Sequence, residues 1–149
     1  MKVRDVMTTP VDAIPPVAAV AEAAREMQRT GVGCLVVMDG GIIGIVTDRD
    51  IVLRCVAQGR SPEQTLVRDV MSRDARVVDA DDDLEEVFDI FGHNAFRRLP
   101  VVDGQAVVGL VTVDDLLLRA HHMISGLLGP ISMETLVPRS RRPAAGERP

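Results

Sequence analysis

The sequence predicts an α/β (α+β) fold made of two βαββα units packed sheet to sheet with pseudo-two-fold symmetry. Three observations carry this expectation. The chain is written twice, each copy alternates β-branched runs with amphipathic helical stretches, and aromatics are nearly absent, with three Phe, no Trp and no Tyr. A core drawn from Val, Ile, Leu, Met and Ala suits β-branched strands beneath Ala- and Leu-bearing helices.

The repeat comes first because it fixes the architecture. Val3-Arg4-Asp5-Val6-Met7 returns letter for letter as Val67-Arg68-Asp69-Val70-Met71, an offset of 64. Gly44-Ile45-Val46-Thr47-Asp48-Arg49-Asp50-Ile51 returns as Gly109-Leu110-Val111-Thr112-Val113-Asp114-Asp115-Leu116, an offset of 65. The extra residue falls in a turn, Asp39-Gly40-Gly41 against Asp103-Gly104-Gln105-Ala106, where an insertion does least harm.

Within each copy a short strand (Val11 to Ile14; Ala75 to Val78) precedes a helix. Val20, Ala23, Ala24 and Met27 form one helical stripe, and Leu84, Val87, Phe88 and Phe91 form its counterpart, so each helix should bury one face. Asp81, Asp82 and Asp83 cluster where the second helix starts, on the favourable side of its dipole. A hairpin follows, with Asp39-Gly40 and Asp103-Gly104 as turn dipeptides between β-branched runs. A closing helix begins at Thr47 and at Thr112. About 60 residues bury too little surface alone, so the copies should share a core.

The expected organisation is one repeat over residues 1–62, a second over 63–128, and a disordered Arg/Pro-rich tail over 129–149. Gly129-Pro130 should stop the last helix. Leu136-Val137-Pro138-Arg139-Ser140 also resembles an engineered protease-recognition site.

Net charge is −5, and the tail from Pro138 holds four Arg against one Glu, which leaves residues 1–137 at −8. An acidic body argues against nucleic acid as a partner. Apolar stretches are too short for a membrane span, and no apolar run follows the N-terminal charges, so a cytoplasmic protein is expected. Cys34 and Cys55 lie in apolar segments without CxxC spacing and read as small buried hydrophobes. His121 and His122 are adjacent, about 100° apart on a helix, and no metal site is expected from them or from His93. There is no Walker loop, G-x-G-x-x-G, G-x-S-x-G or HExxH, and no catalytic residue is assigned: the chain reads as a non-enzyme.

The Asp-Val-Met start, the Leu99-Pro100-Val101-Val102-Asp103 strand and the G-h-h-T-x-x-D close (h apolar) resemble the cystathionine-β-synthase (CBS) domain family, whose members occur as tandem pairs called Bateman modules. The likeness spans residues 3 to about 120 and is nearest to short stand-alone bacterial CBS-pair proteins. It implies a cleft between repeats for an adenosine-containing ligand: AMP, ADP, ATP, S-adenosylmethionine or NAD, none of them an obligatory cofactor. It implies phosphate contacts at Thr47 and Thr112, ribose contacts at Asp50 and Asp115, and base contacts at Ile14, Val36, Val78 and Pro100. It also implies a flat homodimer, for which Leu116-Leu117-Leu118 and Ile124 to Leu128 have spare apolar residues, and an unidentified protein partner.

Elementary chemistry allows those roles and also a plainer one. Thr at a helix start can meet phosphate, and an ionised Asp can accept from ribose hydroxyls. The same Thr-x-x-Asp spacing is a capping box. Arg97 and Arg98 precede the second hairpin strand, where alternation sends one toward the sheet face; Arg97 is the choice for a phosphate contact. Its counterpart is Gly33, so two sites would differ in their tolerance of polyphosphate. Asp48 and Asp114 disfavour a bare triphosphate without a cation. Two readings therefore stand: a nucleotide-responsive regulatory module, or a structural dimerisation module with empty clefts.

Overall fold

Each copy folds around a hairpin whose bend is set by its Asp-Gly pair. The structure, a computed structural model, describes residues 1–136, with side chains as far as Gly129. In the first copy β2 (Cys34–Met38) and β3 (Ile42–Thr47) run antiparallel, Leu35 facing Val46 and Val37 facing Gly44. In the second, β6 (Arg98–Asp103) and β7 (Ala106–Thr112) set Leu99 against Val111 and Val101 against Gly109. Gly40 and Gly104 take φ of +69° and +61°, which costs a glycine nothing. The register slips once in each hairpin, at Val37/Met38 and at Val101/Val102, so even the irregularity is duplicated.

Short strands β1 (Ala13–Ile14) and β5 (Val78–Asp79) join parallel to β2 and β6, linked to them by α1 (Val20–Thr30) and α3 (Leu84–His93). The helix faces differ in detail from the expected stripes. Val20, Ala21, Ala23 and Met27 are buried on α1, whereas Ala24 is exposed. On α3, Leu84 and Val87 are buried and Phe91 half-buried, but Phe88 is 50% exposed. The i, i+3, i+7 positions meet the sheet; the i+4 position rotates past its edge.

Between the copies, the lead-in segments are exchanged. Val67, Val70 and Met71, at the start of the second repeat, are buried in the core of the first, with Leu35, Val37 and Val46. Val3, from the start of the first repeat, is buried in the core of the second, with Leu99, Val101 and Val111; Val6 and Met7 pack against it. The backbone contacts are reciprocal. Val3 N donates to Asp82 O and Arg4 N to Ala80 O, just as Val67 N donates to Ala18 O and Arg68 N to Pro16 O. Ser72 and Arg73 then form β4 against β3, and Thr8 bridges Leu110 on β7 in the equivalent place. Each core therefore draws residues from both repeats. This exchange explains the Gly of the closing motif. A Cβ on Gly44 would lie 2.4 Å from the Ser72 carbonyl oxygen, and one on Gly109 would lie 2.5 Å from Met7 Sδ.

The acidic triplet holds this arrangement on one side. Lys2 Nζ pairs with Asp83 at 2.8 Å and Arg4 with Asp81 at 2.7 Å, while Asp82 accepts from Asp79 N. Asp83 occupies the N-cap of α3 without a side-chain cap bond; the Lys2 hydrogen bond draws its carboxyl below the usual range. These ion pairs are exposed and contribute little individually.

Both sheets belong to one compact unit, Met1–Leu116. α2 (Asp48–Ile51) closes the first copy and continues as a wider π turn, Val52–Val56. α4 (Val113–Leu136) closes the second. It does not stop at Gly129-Pro130, and residues 129–136 are helical rather than disordered. Pro130 forfeits one donor and strains one turn, at about 3 kcal/mol, but leaves the bonds of the other turns intact. The rest of the expected disordered tail and most of the protease-like stretch lie outside the described residues. No helix among the described residues is long and apolar enough to cross a membrane.

Candidate functional site

Two clefts open where the sheets meet, and pseudo-symmetry relates them. The larger, of about 240 Å³, takes Ile45, Thr47, Arg49 and Asp50 from the first repeat. Ser72, Phe96, Arg97 and Arg98 of the second repeat form its opposite wall. The other, of about 80 Å³, is framed by Thr8, Asp12, Gly33, Cys34 and Val36 with Arg98 and Leu110 opposite. Thr8 and Ser72 are counterparts in the repeat, as are Leu110 and Ile45, so one geometry is used twice with different side chains.

Thr47 ends β3 in extended conformation (φ −114°, ψ 162°) and caps α2. Its Oγ1 accepts from Asp50 N at 3.1 Å, and Asp50 Oδ2 accepts from Thr47 N at 3.0 Å. Thr112 and Asp115 reproduce both bonds and add a third, Thr112 Oγ1 donating to Asp115 Oδ2 at 2.8 Å. Both Thr-x-x-Asp pairs are thus capping boxes. They differ in what remains. Thr112 spends its hydroxyl proton on its own aspartate, whereas Thr47 retains its proton for another acceptor. The second carboxylate oxygen of Asp50 faces Arg54 at 3.7 Å, and Arg54 also donates to the carbonyls of Val70 and Met71 on the exchanged segment.

Thr47, Asp50 and Arg97 line the larger cleft together. Thr112 and Asp115 line neither cleft. Val36 lies in the smaller one, Ile14 and Val78 are buried in the two cores, and Pro100 is buried on β6 opposite Leu110.

Arg97 and Arg98 both line the larger cleft and differ in exposure. Arg97 is largely exposed, and its guanidinium donates to Asp114 at 3.3 Å. Arg98 is half-buried and lines both clefts, with no ion pair within 4 Å among the described residues. Strand alternation allowed either assignment. Ser72 and Thr8 were also missed, although the repeat carries the hydroxyl in both copies, directly after Met71 and Met7.

Cys34 sits at the position equivalent to Arg98. Burial pushes its thiol up to about 11, an effect that Arg98 opposes and that Asp50 and Asp48 reinforce. Both cysteines are free and buried. Among the described residues, no group of three or more His, Cys, Asp or Glu is arranged to hold a metal ion.

Known proteins share this arrangement. The CBS domain matches twice, over residues 3–56 and 67–122. CBS domain-containing protein YhcV of Bacillus subtilis is 40% identical over 115 residues, covering 76% of this chain and 81% of that protein. Among solved structures, a putative signal-transduction protein with CBS domains from Burkholderia ambifaria superposes with a TM-score of 0.74 at 30% identity, covering 80% of this chain and 93% of that one. The hexameric CBS-CP12 protein of bloom-forming cyanobacteria gives 0.73 at 30% identity, covering 78% and 69%. CBS pairs are commonly regulatory ligand-binding modules. With two matched repeats, two reciprocal cores and paired clefts between them, this chain belongs to the CBS domain family.

Proposed function

We propose that the protein is a cytoplasmic regulatory module that binds an adenosine nucleotide in the Thr47 cleft and passes that state to a protein partner. One observation carries this reading: Thr47 and Asp50 of one repeat face Ser72, Arg97 and Arg98 of the other across a single cleft. Hydroxyls and cations suit phosphate, and the carboxylate suits ribose hydroxyls. The apolar share of the wall, Ile45 and Phe96, suits a base. Among AMP, ADP, ATP, S-adenosylmethionine and NAD, short phosphates are favoured, because Asp50 and Asp114 bring negative charge to the same rim.

Signal transmission follows from Arg54. It touches Asp50 and the backbone of the exchanged lead-in, so a ligand that takes the Asp50 carboxylate changes what holds that segment. Such a ligand shifts the populations of two arrangements by its difference in affinity for them. Exposed Leu117, Leu118, Met123, Ile124 and Leu127 on α4 supply a homodimer face, in keeping with the hexameric state of the cyanobacterial relative.

A second reading has its own support. Both Thr-x-x-Asp pairs satisfy their own helix ends, and Asp115 lines neither cleft, as a structural module with empty clefts would have it. Thermal unfolding with each of the five ligands separates the two. A ligand at 100 times its Kd stabilises by about 2.7 kcal/mol, or roughly 5–10 °C for a chain of this size. A shift lost in Asp50→Asn and kept in Asp115→Asn supports the sensor; no shift with any ligand supports the structural module.

A further inference from the structure

We propose that Arg98 is one cation shared by the two clefts, so that a phosphate-bearing ligand in the Thr47 cleft excludes a second from the Gly33 cleft. The inference rests on the nucleotide reading and adds which ligand each cleft takes.

Arg98 is the residue common to both linings. Its Nη2 lies 3.5 Å from where a Gly33 Cβ would stand and Asp48 Oδ2 lies 3.0 Å from the same point, so the guanidinium and the Asp48 carboxylate share the space that Gly33 leaves open. On its strand it is the register partner of Thr112, while its side chain also borders the cleft of Thr47. It therefore lies between the two equivalent sites rather than inside one of them. The repeat would supply a second arginine at residue 34, and that residue is cysteine, so a pair of sites has one central charge instead of two.

The remaining charges rank the clefts. Arg49 and Arg97 both border the Thr47 cleft, so an anion there meets three arginines against Asp50 and the Asp114 that pairs with Arg97. Besides Arg98, the Gly33 cleft is lined by Asp12, and Asp48 Oδ2 lies 3.0 Å from the Gly33 Cβ position on its edge. Phosphate in the Thr47 cleft draws Arg98 toward itself and leaves the Gly33 cleft with the Asp12 and Asp48 carboxylates and largely apolar walls. A second phosphate there meets repulsion in a poorly solvated space, with no compensating cation. An uncharged nucleoside meets no such penalty. The Thr47 cleft thus takes phosphorylated ligands, and the Gly33 cleft takes neutral ones while its neighbour is occupied.

Calorimetric titration of the full chain with AMP, adenosine and inorganic pyrophosphate tests this. In wild type, AMP should saturate at one equivalent per chain with any second site at least about tenfold weaker, the scale of a lost charge-assisted contact. Adenosine should fill both clefts without that gap. Arg98→Gln should weaken AMP by about 10- to 100-fold and leave adenosine unchanged, whereas Arg98→Lys keeps the exclusion. Two equal AMP sites in wild type, or an unchanged AMP titration in Arg98→Gln, overturns the proposal; if Arg98→Gln does not fold, the wild-type stoichiometries decide alone. If neither AMP nor adenosine binds, the nucleotide reading fails separately. Pyrophosphate then decides the role of Arg98: one equivalent lost in Arg98→Gln upholds it, and no binding or no change refutes it.

Discussion

Gly44→Ala tests the exchange of lead-in segments at one carbon atom. The added Cβ would lie 2.4 Å from the Ser72 carbonyl oxygen, 3.3 Å from the carbonyl carbon and 3.3 Å from Met71 Sδ. An ordinary carbon–oxygen contact is about 3.3–3.6 Å, so β4 must retreat by roughly 1 Å. The obstacle is backbone, and no rotamer change relieves it. Overpacking of this kind costs about 1–3 kcal/mol. Loosening the pairing of Gly44 with Arg73 and of Ile45 with Ser72 adds about 0.5–1.5 kcal/mol per weakened bond. Against this, alanine restricts the unfolded chain and returns about 0.4–1 kcal/mol. The net is a loss of about 2–3 kcal/mol, a fall in Tm of roughly 5–10 °C followed by circular dichroism. Gly41→Ala, whose Cβ meets nothing within 4 Å, is the control and should stay within about 0.5 kcal/mol of wild type. Gly109→Ala meets the Met7 side chain instead of backbone, so its cost should be smaller and partly relieved in a double variant with Met7→Ala. If Gly44→Ala unfolds together with Gly41→Ala, the second lead-in does not run against β3, and the reciprocal cores are wrong.

Three further outcomes follow from the same geometry. The folded Cys34 thiol keeps its proton to about pH 11, while the unfolded chain loses it near 9, so between those values the folded state binds more protons and stability falls as pH rises; Cys34→Ala should flatten the fall in Tm over that window and leave it unchanged below pH 8. Val87→Ala should cost about 2 kcal/mol in chemical denaturation and Phe88→Ala less than about 1, because Val87 is fully buried and Phe88 half exposed. Thr112→Val removes an N-cap that binds no ligand, so it should lower Tm by the equivalent of about 1 kcal/mol whether or not nucleotide is present.

Much of the fold was legible because it depends on local pattern. The doubled motifs gave two units, the Asp-Gly pairs gave the hairpins, and the heptad-like spacings gave α1 and α3. The exchange was not legible, because Val3-Arg4-Asp5-Val6-Met7 carries the same letters as its counterpart and offers no sign of which sheet each copy joins. Phe88 shows another limit: a stripe of four apolar positions is wider than the face the sheet covers. Pro130 was read as a stop, yet a helix with enough turns on either side accommodates one proline. At the site, the Thr-x-x-Asp spacing was found but its two meanings coincide, since Thr47 and Asp50 cap the helix and border the cleft at once. Arg97 and Arg98 both border the Thr47 cleft, where strand alternation alone sends only one of them toward it.

Backbone amide spectroscopy on addition of AMP tests the central claim most directly. If the nucleotide occupies the Thr47 cleft, the amides of Thr47, Arg49, Asp50, Ser72, Phe96, Arg97 and Arg98 shift together in a saturable, concentration-dependent way. Val70 and Met71 should follow through Arg54. A spectrum that stays unchanged at millimolar AMP, or that moves only at exposed positions away from the cleft, would contradict the sensor and leave the capping boxes as purely structural elements.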